Sequence, residues 1–145
     1  MARRAWLDQV NFPSAQHHPI PAEQGAESAA GVYAPVIASV VPFDLVLLGI
    51  GEDGHTASLF PGQEHSPHEP VHPVHDAPKP PPDRVTLSRA SLANTRELLV
   101  LVTGSGKVEA VHHWKTGTAL PIASIHPPGG VDVLIDEAAL GVNPG

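Results

Sequence analysis

The chain has 145 residues, 41% of them apolar, with 15 acidic against 8 basic side chains and a formal charge of −7 at pH 7. That length suits one globular domain, and the acidity argues against nucleic acid or an anionic membrane as the main partner, because both recruit basic patches. Cysteine is absent, which excludes disulfides, thiolate nucleophiles and Cys-ligated zinc together.

Ala5, Trp6, Leu7 and Val10 recur at near-helical spacing and Asn11-Phe12-Pro13 stops the pattern, so residues 2–10 read as a short helix. Arg3 and Arg4 are not followed by an apolar run of signal-peptide length, so secretion is not indicated and a cytoplasmic location is expected. Residues 16–21 look extended. Residues 22–38 are alanine-rich enough for a second helix, weakened by Gly31 and Pro35. Residues 43–50 form an apolar run opened by Pro42 and closed by glycines, the pattern of a strand buried on both faces of a parallel sheet. From 62 to 82 the composition turns to proline and histidine without periodicity, which predicts a long loop.

Strand candidates follow at 84–87, 97–102 and 131–135, separated by helical stretches at 89–95 and 105–113 and a turn-rich piece at 114–128. This alternation predicts an α/β fold with an open, largely parallel, Rossmann-like sheet and flanking helices. No apolar run approaches the roughly 20 residues of a membrane helix.

Gly49-Ile50-Gly51-Glu52-Asp53-Gly54 matches G-x-G-x-x-G after a predicted strand. The dinucleotide reading fails on context, because Pro61 ends any following helix within about two turns and no second strand with its acidic residue follows. What remains is a strand end that delivers Asp53 and His55, two residues apart on a glycine-flanked turn. Either Asp53 caps a short helix starting near His55, or it orients His55 as a general base that activates water; the spacing supports both.

Thr103-Gly104-Ser105-Gly106-Lys107 joins a strand to a helix. It is not a Walker A loop, since Val108 stands where Ser or Thr is required. It is either an ordinary glycine-rich turn with a solvated lysine or an anion site built from backbone N–H groups, the helix dipole and Lys107. Arg84 is either a surface charge paired with Asp83 or a forked contact to phosphate oxygens. His65, His68, His72 and His75 cluster in the 62–82 segment, but a proline in each gap and the lack of an aligning helix argue against a functional metal site. No metal is expected.

The run from Phe43 to Gly62, with Gly49-Ile50-Gly51-Glu52-Asp53-Gly54-His55-Thr56-Ala57-Ser58-Leu59-Phe60-Pro61 inside it, resembles the 6-phosphogluconolactonases and, up to the histidine, the glucosamine-6-phosphate deaminases. Arg84-Val85-Thr86-Leu87-Ser88, Leu101-Val102-Thr103-Gly104-Ser105-Gly106-Lys107 and Val133-Leu134-Ile135-Asp136-Glu137-Ala138-Ala139 support the resemblance. It implies hydrolysis of 6-phospho-D-glucono-1,5-lactone to 6-phosphogluconate in the oxidative pentose phosphate pathway. His55 would be the general base with Asp53 beside it. Gly51, Glu52, Gly54, Arg84 and Lys107 would bind a small phosphorylated sugar lactone, with no organic cofactor. Thr56-Ala57-Ser58-Leu59-Phe60 after the histidine disfavours the deaminase alternative; an inactive sugar-phosphate-binding remnant is the other.

Relative to that family, a first strand with a Ser/Gly-rich phosphate loop and a later strand ending in Asp-Glu-Arg have no counterpart here. The segment from Met1 to Leu7 resembles the helix after the second of these. The expectation is therefore a single partial domain over 1–145, N-terminally shortened, with a Pro/His-rich loop at 62–82. Its exposed sheet edge would invite self-association.

Overall fold

A computed structural model describes residues 2–142; Met1, and with it the expected start, lies outside the described residues. The order is α1 (Ala2–Ala5), α2 (Ala26–Val40), β1 (Phe43–Gly49), β2 (Val71–Val74), β3 (Arg84–Leu87), α3 (Arg89–Ala93), β4 (Thr95–Val102), α4 (Val108–Lys115), β5 (Asp132–Ile135) and α5 (Glu137–Leu140), with single 3-10 turns between several of them. The α/β expectation holds. A three-stranded parallel sheet runs β1-β4-β5, and a separate antiparallel pair joins β2 to β3.

The parallel register pairs Phe43 with Thr95 and Gly49 with Leu101 across β1 and β4, then Leu99 with Asp132 and Val102 with Ile135 across β4 and β5. One face of this sheet is buried. Val46, Leu48, Leu98, Val100 and Val102 pack with Leu92 of α3, Ala110 and Val111 of α4 and Ala139 of α5 in one core. The short helices are held by caps: Ser88 Oγ accepts from the Ser91 N–H at 3.0 Å, and Asp136 Oδ1 from the Ala139 N–H at 2.7 Å.

The expectation that β1 is buried on both faces is corrected. Successive strand side chains point to opposite faces, and the face opposite the core carries Leu45 at 48%, Leu47 at 58%, Leu101 at 46% and Leu134 at 60% exposure. Within the described residues no helix lies over these leucines. The helix expected at 2–10 is also corrected: the backbone leaves the helical region at Trp6 (φ −154°), and a 3-10 turn at Leu7–Gln9 follows. Ala5, Trp6 and Val10 are all exposed, so the apolar stripe has no surface to pack on, and an unpacked helix this short is marginal.

Pro35 does not stop α2, which is continuous from Ala26 to Val40. Pro35 removes the hydrogen bond that would reach the Gly31 carbonyl, but both residues lie on the solvent side, where water can replace it. The opposite side, with Ala30 and Ile37, packs on Val71, Val85 and Leu87 of the β2-β3 pair.

That pair holds a second correction. The loop expected across 62–82 contains β2, which pairs Val71 with Leu87 and Val74 with Arg84 although V-H-P-V lacks a strand's alternation. His72 is buried, 3.2 Å from Glu69 Oε2 and stacked on His65 at 4.9 Å. His75 donates from both ring nitrogens, from Nε2 to Glu27 at 2.7 Å and from Nδ1 to Asp83 at 2.8 Å. It thereby ties the start of α2 to the residue before β3. Among the described residues, no group of three or more His, Asp or Glu side chains is arranged to hold a metal ion.

The Asp83 hydrogen bond, then the Glu27 hydrogen bond and charge, raise the His75 pKa above its ordinary 6.5. A raised folded-state value means that this tie is fully present below about pH 6.5 and is lost as pH rises through the raised value. Thermal melting across that window should fall with pH more steeply in the wild type than in His75→Gln. Equal slopes would show that the tie contributes nothing.

Candidate active site

Because β1 and β4 are adjacent and parallel, the segments that leave their C-terminal ends emerge side by side, at the sheet edge where open α/β folds place ligands. One carries Asp53 and His55, the other Lys107. A cleft of about 310 Å³ opens between them, and Gly51, His55, Thr56, Ala57, Lys79 and Lys107 are among its lining.

The segment after β1 forms two successive tight turns, and the short helix that one of the two readings placed near His55 is absent. The Gly51 N–H donates to the His55 carbonyl at 2.7 Å, the Gly54 N–H to Gly51 at 3.0 Å, and Thr56 bridges to Leu59. Gly54 has φ +83°, and a Cβ there would strike Leu120, so only glycine fits. Thr56 Oγ1 donates to the Gly49 carbonyl at 2.8 Å, and the Ser58 N–H donates to Thr86 Oγ1 at 3.2 Å, anchoring the turns to β1 and β3. Leu59 and Phe60 are buried beneath. The His55 ring lies 4.8 Å from the Phe60 ring.

His55 Nδ1 and Asp53 Oδ1 are 2.5 Å apart, and the same oxygen accepts from the His55 backbone N–H at 3.2 Å. Partial burial pushes the Asp53 carboxyl up, but the hydrogen bonds and the charge attraction from His55 outweigh it and hold its pKa below the ordinary value of 3.8. An ionised carboxylate only accepts hydrogen bonds, so Nδ1 carries the ring proton. Nε2 is left as the nitrogen available to a ligand, on a side chain 18% exposed.

The turn after β4 is fixed from the other side. Asp136, at the end of β5, accepts the Gly104 N–H at 3.1 and 3.0 Å, and Gly104 takes φ +90°. Ser105–Lys107 then forms a 3-10 turn that leads into α4. Lys107 is half-buried and, among the described residues, pairs with no carboxylate.

The structure thus brings Gly51, His55 and Lys107 to one cleft, with Asp53 behind the histidine. Gly54 shapes the turn, and Glu52 lies against Gly106 and 3.3 Å from Lys79. Arg84 is elsewhere occupied: Nε donates to the Pro81 carbonyl at 2.9 Å, and Nη2 to Lys79 and Pro80 at 2.7 and 2.9 Å. Sequence reasoning missed Lys79. Its signal was compositional: a lone cation in a proline run of a strongly acidic chain.

Residues 1–134 match the family described as glucosamine-6-phosphate isomerases/6-phosphogluconolactonase. The chain belongs to this family. It is 43% identical over 127 residues to 6-phosphogluconolactonase of Mycobacterium tuberculosis, covering 76% of this chain and 50% of that one. Among solved structures it is similar to the devB protein, with TM-score 0.85, 32% identity and coverage of 97% of this chain and 64% of that one. It is also similar to 6-phosphogluconolactonase from Trypanosoma brucei, with TM-score 0.69, 32% identity and coverage of 90% and 57%. The chain therefore spans only part of these family members' length. Among the described residues no helix is long and apolar enough to cross a membrane.

A Cβ at position 51 would overlap the His55 ring and come within 2.6 Å of Asp53 Oδ1. Gly51→Ala is therefore expected to separate the pair while leaving the sheet intact. Proton NMR should lose the strongly deshielded Nδ1 resonance with the fold's methyl signals preserved; its persistence would mean that the turn absorbs the methyl group without moving the ring.

Proposed function

We propose that this chain carries the water-activating half of a lactone-hydrolysing site for a phosphorylated sugar, with 6-phospho-D-glucono-1,5-lactone as substrate. The observation that carries the reading is His55, its Nδ1 proton held by ionised Asp53, beside Lys107, which pairs with no carboxylate among the described residues, in one cleft. Water would lose a proton to His55 Nε2 as its oxygen attacks the lactone carbonyl. The resulting imidazolium, stabilised by the Asp53 carboxylate, would return that proton to the ring oxygen as the C–O bond breaks, yielding the hydroxy acid. Lys107 would hold the phosphate. The similarity to 6-phosphogluconolactonases supports this substrate, and a water-soluble sugar phosphate is consistent with a cytoplasmic setting. Residues 1–145 would act as one domain.

General base catalysis contributes about 10²–10⁴-fold. Hydrolysis of freshly generated lactone, followed at a pH low enough to slow spontaneous opening, should therefore fall by about that factor in His55→Ala. A wild-type rate equal to the spontaneous rate, in folded protein, would sink the hydrolase reading.

The open leucine face and the free edge of β1 support self-association as part of the same proposal, since water-exposed leucines and unpaired strand edges favour contact with another chain. Sedimentation should show species larger than a monomer that dissociate in Leu47→Lys. A wild-type monomer at high concentration would refute the association.

A further inference from the structure

Lys79 stands at the tip of the segment between β2 and β3, yet it lines the same cleft as His55 and Lys107. Two of the chain's three lysines therefore meet at one small opening of a protein with net charge −7. The partner of Lys79 is Glu52, at 3.3 Å, with side chains 45% and 63% exposed. A pair this open is weak and easily exchanged.

The Lys79 backbone, in contrast, is firmly held. Its carbonyl and those of Pro80 and Pro81 all accept from the Arg84 guanidinium. The Ala77 N–H closes the segment on the Pro82 carbonyl at 3.0 Å. The guanidinium also sits 5.4 Å from the centre of the Phe60 ring, whose other neighbour is His55. Arg84 thus fixes the lysine-bearing turn against the same aromatic ring that backs the histidine.

A phosphomonoester carries about −1.5 to −2 charges at neutral pH, so Lys107 alone would leave it under-neutralised. We propose that Lys79 is a second anion-binding side chain of this cleft, that Glu52 is its counter-ion until a phosphomonoester displaces it, and that Arg84 is the positioning residue for Lys79. This rests on the reading of the cleft as a sugar-phosphate site and deepens it. Lys79 swings from one carboxylate to the phosphate; Arg84 keeps its carbonyl contacts and never touches the ligand.

The test is titration of the full chain with 6-phosphogluconate and, separately, with inorganic phosphate, read by calorimetry and by backbone NMR. A lost charge-assisted hydrogen bond corresponds to about a ten- to hundredfold loss of affinity. That loss is expected in Lys79→Met, with partial recovery in Lys79→Arg. Glu52→Gln should bind more tightly than wild type, because the competing carboxylate is gone. Arg84→Gln should weaken binding in the wild-type background but not further in Lys79→Met, the non-additivity expected if it acts only through the lysine. Arg84→Lys provides the same comparison if the glutamine variant is poorly folded.

Unchanged affinity in Lys79→Met, weaker binding in Glu52→Gln, or an additive Arg84 effect would each overturn the proposal, as would a wild-type chain that binds neither anion. The hydrolase reading fails separately. Anion binding with these responses but no lactone hydrolysis would leave the Lys79 site standing and remove the catalytic role, whereas hydrolysis indifferent to Lys79→Met would do the reverse.

Discussion

Strands β1 and β4 lie side by side and parallel, in register from Phe43 opposite Thr95 to Gly49 opposite Leu101. Everything at the site follows from that pairing. Parallel neighbours discharge their chains at the same edge, so the Asp53-His55 turn and the Lys107 turn are adjacent although about fifty residues apart in sequence. An antiparallel pairing would have sent them to opposite ends of the sheet. The pairing is held by Val46, Leu48, Leu98, Val100 and Val102 buried on one face. The geometry of the cleft is thus set by apolar packing several residues away from the polar side chains that line it.

On that frame the polar parts are assembled locally. Asp53 reaches His55 through a two-residue turn whose backbone supplies a further hydrogen bond, so the pair needs no distant element to form. Orientation of the ring is a tertiary matter, because Phe60 is buried beneath it and Thr86 of β3 grips the Ser58 N–H. The Lys107 turn is fixed by Asp136, a residue that also caps α5. One carboxylate thereby couples the end of β5 to the mouth of the cleft. The β2-β3 pair brings Lys79 from a third direction, docked through α2 and the guanidinium of Arg84.

The sheet's two faces differ in a way that single-strand reasoning cannot detect. A run such as Phe43 to Ile50 is apolar at every position that matters to either face, so its composition predicts burial on both. Burial depends on what else is present to cover each side. Here α3, α4 and α5 supply a cover for one face only, and Leu45, Leu47, Leu101 and Leu134 are left at the surface.

Several features were legible in the residues themselves. The α/β class, the strands expected at 43–50, 84–87, 97–102 and 131–135, the family and the Asp53-His55 and Lys107 turns all rest on local patterns: apolar runs, glycine punctuation and short spacings. The turns in place of a helix at His55, the strand at Val71–Val74 and the carbonyl contacts of Arg84 did not. V-H-P-V in β2 carries no alternation to read, and it becomes a strand because β3 offers its edge and α2 its apolar side. The residues left Arg84 open between a surface charge and a phosphate contact, and in the structure its guanidinium donates to three carbonyls of the preceding turn. Sequence by itself determined which groups are available for chemistry, because residue type and short-range spacing are local properties. Tertiary structure decided which of them meet in one cleft, since that depends on strand order, on the packing of distant segments and on competition among hydrogen-bond partners.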